Sequence, residues 1–185
     1  MAAGLVAAAF GGGTIGLFAL QVASDSGRTA PGDRAGWRRD WHDNWAPGAA
    51  IDPTAVDPVA ELRRLTGGIG PDLVLEAAGA APVTPVAIHA VRKGGRIVLV
   101  GIPVAPSTFN FFDVVFGEKE IIGSLSHVYD EDYATAVRWL GDGRIHAEPM
   151  ISVRIPLERL VEDGLQRLAQ RATETLKVII KPHGA

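Results

Sequence analysis

The chain has 185 residues, 47% of them apolar and 21% charged, and 18 Lys and Arg against 21 Asp and Glu leave a net charge of -3. That length suffices for one domain with a small appendage and a sizeable core, and the charge balance offers no basic field for nucleic acid. With no cysteine in the sequence, disulfides, thiolate zinc sites and thiol catalysis are excluded, and a cytoplasmic setting is the expectation.

The first 24 residues are uncharged, as a leader or a membrane span would be. No Lys or Arg precedes the apolar stretch, Gly11-Gly12-Gly13 interrupts it, and the pattern fits strand, turn and helix, so neither targeting nor a membrane partner is expected. Leu5 to Phe10 reads as a strand buried on both faces, and Thr14 to Ala23 as a buried helix. Val56 to Thr66 follows as a helix, with Val59, Leu62 and Leu65 at helical spacing and Gly67-Gly68 as its stop. Pro71 to Glu76 is a strand, Val83 to Arg92 a helix, Arg96 to Gly101 a strand and Glu120 to Leu125 another, with a helix from Glu131 to Leu140. This alternation predicts an α/β fold, a doubly wound parallel sheet over residues 1–150. Residues 151–185 read as a small αβ appendage, with strands at Ile151 to Ile155 and Lys177 to Ile180 around a helix from Leu157 to Gln170.

Residues 24–48 break the pattern. They contain no Val, Ile, Leu, Met, Phe or Tyr, yet hold Trp37, Trp41 and Trp45, three of the four tryptophans. One reading is an amphipathic helix with an aromatic stripe at i, i+4, i+8. The stronger reading comes from the genetic code. Trp has only TGG, so a Trp after Asp or Asn forces YTG, always Leu, in the frame that begins one base earlier. Asp40 to Pro47 then reads as an amphipathic "LARQLGA" with a glycine stop, if its two ambiguous triplets are not stops. Translation out of frame between two compensating shifts is therefore expected across 24–48, overwriting the second strand and helix of the fold.

Gly11-Gly12-Gly13-Thr14-Ile15-Gly16 satisfies G-x-G-x-x-G between a strand and a helix. Gly11 permits the tight turn, Gly13 lets the main chain approach a pyrophosphate, and Gly16 lets the helix pack closely on the sheet. Free amides and the positive end of the helix dipole face the anion. The acidic residue that should follow about 20 positions on, to hold ribose hydroxyls, has two candidates in Asp33 and Asp40. Neither ends an apolar strand, and neither is assigned. Glu76-Ala77-Ala78-Gly79 and Val100-Gly101-Ile102-Pro103 are strand ends on the same edge, where each glycine either admits a ligand or only ends a strand. His42, His89, His127, His146 and His183 lack ligand spacing, so no metal site is expected; His127, near Asp130 and Asp132, reads as a solvated loop end. No residue is assigned a catalytic role.

The order of motifs resembles the C-terminal half of medium-chain, zinc-type alcohol and polyol dehydrogenases, with butanediol, sorbitol and threonine dehydrogenases nearest. The matching stretches are "FGGGTIGLFALQVA", "AIDPTAVDPVAELRRLTGGIGPDLVLEAAG", "AVRKGGRIVLVGI", "FNFFDVVFGEKEIIGS" and "IPLERLVEDGLQRL". The resemblance implies a Rossmann-like NAD- or NADP-binding domain, with Gly11, Gly13, Thr14, Ile15 and Gly16 at the pyrophosphate, Ala78 and Gly79 on the adenosine side, and Gly101 and Ile102 at the nicotinamide. It implies a homodimer through the 120–126 strand. In that family the zinc ligands and substrate pocket come from an N-terminal domain with no counterpart in these residues, on which the elements after Ile151 pack. The expected protein is thus an oxidoreductase by descent, not catalytic alone and without zinc, or else a dimerising module that completes a separate N-terminal half. With its second strand overwritten, it should bind cofactor weakly, no tighter than ~1 mM.

Overall fold

The computed structural model describes residues 5–24, 27–33, 49–126, 128–170 and 175–182. The chain opens on β1 (Leu5–Phe10), whose small apolar residues Ala7, Ala8 and Ala9 are at most 1% exposed. A strand this deeply covered needs helices on both faces. Gly11, at φ 104, ends it, and α1 (Thr14–Ser24) follows.

The next element corrects the sequence reading. β2 (Gly27–Gly32) lies parallel to β1, in register from Leu5 opposite Gly27 to Phe10 opposite Gly32. Only Thr29 of its six residues favours a strand, and two glycines and Pro31 oppose one, so the sequence conceals it. The open edge of β1 offers main-chain partners to the segment that follows α1, Pro31 lacking only a donor, and tertiary context overrides propensity. The second strand is therefore present in residues 24–33. Residues 34–48, with Asp40, the Trp37, Trp41 and Trp45 stripe and most of the frame-shifted reading, lie outside the described residues.

Beyond β2, Ile51 forms a parallel bridge to Gly32. α2 (Pro58–Leu65) begins two residues later than its periodicity implies, because Asp57 caps it and Pro58 takes the first turn; Asp57 Oδ1 accepts from the amides of Val59 at 2.8 Å and Ala60 at 3.2 Å. β3 (Leu73–Glu76), α3 (Val83–Ala90) and β4 (Arg96–Leu99) follow as expected, somewhat shorter. α4 (Phe111–Val115), capped by Asn110, has no counterpart among the elements read from periodicity, being too short to show any. It leads to β5 (Glu120–Gly123). The sheet is parallel throughout, in the order β2-β1-β3-β4-β5. With the Ile51 bridge beyond β2, this is the doubly wound Rossmann-like arrangement, whose chain reverses direction between β1 and β3.

Alternation along β1 divides the core. Ala8 and Phe10 join Ile51, Leu62, Val74, Ala87, Ile88 and Ile97 under α2 and α3, while Ala9 meets Leu20 of α1 and Leu75. Each fully buried Leu or Ile contributes about 2 kcal/mol.

After β5 a wide turn at Tyr129–Tyr133 takes the place of the first part of the expected 131–140 helix, and α5 (Ala134–Gly141) completes it. β6 (Ile151–Pro156) and β7 (Lys177–Lys181) pair in parallel. The helix expected from Leu157 to Gln170 is broken into two tight or wide turns and a short α6 (Gln166–Ala169). Gly164 passes so near β6 that an added Cβ would stand 3.2 Å from Ile155 Cδ1, so the segment follows the strand instead of its own periodicity. Among the described residues, no helix is long and apolar enough to cross a membrane.

At the amino end of the sheet, Asp72 fastens two strands and a loop. Its Oδ2 accepts from the Val6 amide at 2.8 Å and its Oδ1 from Arg92 Nε at 2.7 Å. Partial burial opposes ionisation, but the Val6 amide and the Arg92 guanidinium outweigh it and hold the carboxyl below the usual carboxylate range. A depressed carboxyl contributes stability above its unfolded value near ~4, lost as pH falls through the folded value. The pair is partly solvated, at 36% and 29% side-chain exposure, so Asp72→Asn should cost only about 1 kcal/mol at neutral pH. Urea melts of both proteins between about pH 7 and pH 3 should converge as acid is added; a constant gap would contradict this role.

Candidate functional site

Every residue singled out for cofactor contact lies at the carboxyl edge of the sheet, beside the β1/β3 reversal. Gly11, Gly13, Thr14, Ile15 and Gly16 form the turn from β1 into α1, Ala78 and Gly79 follow β3, and Gly101 and Ile102 follow β4. The three turns touch in series. A Cβ on Gly11 would fall 2.7 Å from the Ala78 nitrogen, and one on Gly79 would fall 3.1 Å from the Ile102 nitrogen.

The glycines have different reasons to be glycine. Gly11 needs its positive φ and abuts Ala77 and Ala78, while its amide donates to the Gly32 carbonyl at 2.9 Å. Gly16 brings α1 flush against the turn, since its Cβ would strike the Gly11 carbonyl oxygen. Gly79 and Gly101 pack on each other, a Cβ on Gly101 colliding with the Gly79 nitrogen. Those two positions are glycine because the turns meet. Gly13 differs from all four. Among the described residues, and apart from its two chain neighbours, nothing lies within 4 Å of where its Cβ would be, and its φ is not positive. Its carbonyl accepts from Leu17 at 3.0 Å, placing it at the mouth of α1, where unsatisfied amides and the helix dipole favour an anion.

Asp33, left unassigned by sequence, sits where β2 ends. Its Oδ2 accepts from the Gly12 amide at 2.6 Å, bringing a carboxylate over the glycine turn. The 21-residue separation from Gly12 was the available signal; the unstrandlike composition of Gly27–Gly32 masked it. Glu76 is the other residue that motif reading passed over. It is fully buried, and its Oε1 accepts from the Ala78 and Gly79 amides, each at 2.9 Å. Those amides therefore point into the protein. Ile15 and Ile102 stay exposed, at 59% and 73%. The Thr14 hydroxyl donates to the Leu176 carbonyl at 3.2 Å, tying the appendage to the helix mouth.

The two described histidines, His89 and His146, do not converge. His89 Nε2 meets Asp113 at 3.1 Å on the far side of the sheet, and the His146 amide donates to Gln21 Oε1 at 2.7 Å; His42, His127 and His183 lie outside the described residues. Among the described residues, no three His, Asp or Glu side chains are grouped as metal ligands would be.

A parallel sheet in this order, with a glycine turn at its reversal, defines a protein of Rossmann-like α/β fold. The chain belongs to the zinc-binding dehydrogenase family, whose model matches residues 14–142. The (R,R)-butanediol dehydrogenase of Neisseria gonorrhoeae is 32% identical over 133 residues, 72% of this chain and 37% of that enzyme. Among solved structures, the alcohol dehydrogenase of Thermus sp. ATN1 superposes with a TM-score of 0.88 at 30% identity, over 97% of this chain and 52% of that one. A Sinorhizobium meliloti 1021 protein solved bound to NADP superposes at 0.87 with 27% identity, over 97% and 53%. The chain thus spans about half the length of the solved relatives it matches.

Proposed function

We propose that this chain is the nicotinamide-dinucleotide-binding half of a zinc-type alcohol or polyol dehydrogenase. The observation that supports it best is Gly13, the glycine of the turn whose missing side chain no packing among the described residues requires. In this reading, amides of Gly13, Thr14, Ile15 and Gly16 receive the diphosphate, Gly11 sets the turn, and Asp33 accepts from the ribose hydroxyls near adenine. Ala78 and Gly79 line the adenosine side, and Gly101 and Ile102 the nicotinamide. A bound nicotinamide would supply the hydride chemistry; these residues bind and orient it, and none transfers a proton. The substrate pocket and zinc belong to a further domain of the kind the relatives carry.

The Asp33 carboxylate over Gly12 disfavours a 2′-phosphate by charge repulsion, so NAD(H) is preferred to NADP(H). With β2 in place, affinity is expected near about 0.1 mM, about -5.5 kcal/mol, tighter than an overwritten strand would give. Calorimetric titration with NADH and NADPH tests both points. The reading fails if NADH gives no saturable heat up to about 5 mM.

A homodimer in a cytoplasmic setting accompanies this reading, with β5 as the pairing edge. Ile121, Ile122, Phe111, Phe112 and Phe116 stand 37% to 71% exposed along and beside it, as edge-to-edge pairing would use. Leu157, Val161, Leu165 and Leu168 of the appendage are likewise 45% to 57% exposed. That stripe favours the second reading, a module that completes a separate N-terminal half.

A further inference from the structure

Glu76 is a charged residue type with no solvent exposure and, among the described residues, no salt bridge, an arrangement that needs compensation. Its hydrogen bonds supply one. Oε1 takes the Ala78 and Gly79 amides, which the sharp turn at Gly79, φ 62, withdraws from the strand ladder. The carbonyl of the same residue takes the amides of Val100 at 2.9 Å and Gly101 at 2.7 Å, on the neighbouring turn. Oε2 has no hydrogen-bond partner among the described residues, and it lies where a Cβ on Gly101 would come within 2.6 Å. One residue thus accepts from both turns, and its second carboxylate oxygen is wedged against the second of them.

We propose that Glu76 is the positioning residue of the crevice, a buried strut that makes the Ala78–Gly79 and Gly101–Ile102 turns a single rigid ledge. The ligand this ledge serves rests on the dinucleotide reading above; the strut itself does not. Loss of the carboxylate leaves the Ala78 and Gly79 amides without their acceptor and opens space beside Gly101. Both turns then loosen, although the side chain bonds directly to only one.

Residue-resolved amide hydrogen exchange on the ligand-free chain decides this. Glu76→Ala should speed exchange at Ala78, Gly79 and Gly101 by about ten-fold or more, while the Leu17 amide of α1 is unchanged. Glu76→Gln keeps an oxygen where Oε1 stands and should restore protection at Ala78 and Gly79 to within about three-fold of wild type. Should Glu76→Ala fail to fold, Glu76→Asp replaces it, its carboxylate being one methylene too short to reach both amides. Unchanged exchange at Gly101 in the folded Ala or Asp variant overturns the single ledge, and a Gln variant as loosened as that variant overturns the acceptor role. Because no ligand is present, a wild-type chain that takes no NADH refutes the dinucleotide reading and leaves the exchange result to stand on its own.

Discussion

Gly16→Ala is expected to destabilise the chain by about 3 kcal/mol, enough to leave a marginal domain partly unfolded at ambient temperature. Replacing glycine by alanine inside a helix ordinarily gains up to about 1 kcal/mol, so the expected sign is opposite to propensity. The added methyl meets the Gly11 carbonyl oxygen, which is main chain and cannot rotate aside as a side-chain tip would. Nor can the turn retreat easily. The Gly11 amide is bonded to Gly32, and its Cα abuts Ala77 and Ala78. Urea denaturation of the ligand-free protein measures the effect, and a variant as stable as wild type would show that α1 does not rest on the turn.

Gly13→Ala, three residues earlier, should behave in the opposite way. Its methyl enters open space at an ordinary φ, so stability should fall by less than about 1 kcal/mol, the preference for glycine over alanine at a helix cap. Dinucleotide affinity should fall at least about ten-fold, about 1.4 kcal/mol, since the methyl occupies the approach to the helix mouth. Calorimetric titration beside a thermal melt separates the two quantities. Unimpaired NADH binding by Gly13→Ala would place the diphosphate elsewhere, whatever the Gly16 result.

Much of this architecture was legible because burial on both faces writes itself plainly in apolar runs. β1, β3, β4 and β5 follow directly from Leu5–Phe10, Leu73–Glu76, Arg96–Leu99 and Glu120–Gly123. β2 was not legible, because a strand held by its neighbour's ladder needs few strand-forming residues of its own, and Gly27–Gly32 carries only Thr29. Asp33 was hidden with it. The appendage helix was overread for the converse reason: Leu157, Val161, Leu165 and Leu168 keep a helical spacing, while Gly164 lets the chain bend to fit β6. Glu76 shows a third limit, since a buried carboxylate in a strand reads in sequence as an exposed one. Sequence patterns name surfaces and periods, and the partners of a buried polar group appear only in three dimensions.

The mutual packing of Gly79 and Gly101 bears on how such chains age. Under selection for expression alone, with the nucleotide no longer useful, those two residues would persist together with Gly11 and Gly16, because the polypeptide itself rejects larger replacements there. Gly13 alone would drift. A lineage that had abandoned its cofactor would therefore look almost intact in its glycine signature, and decay at a single letter would be its first visible mark.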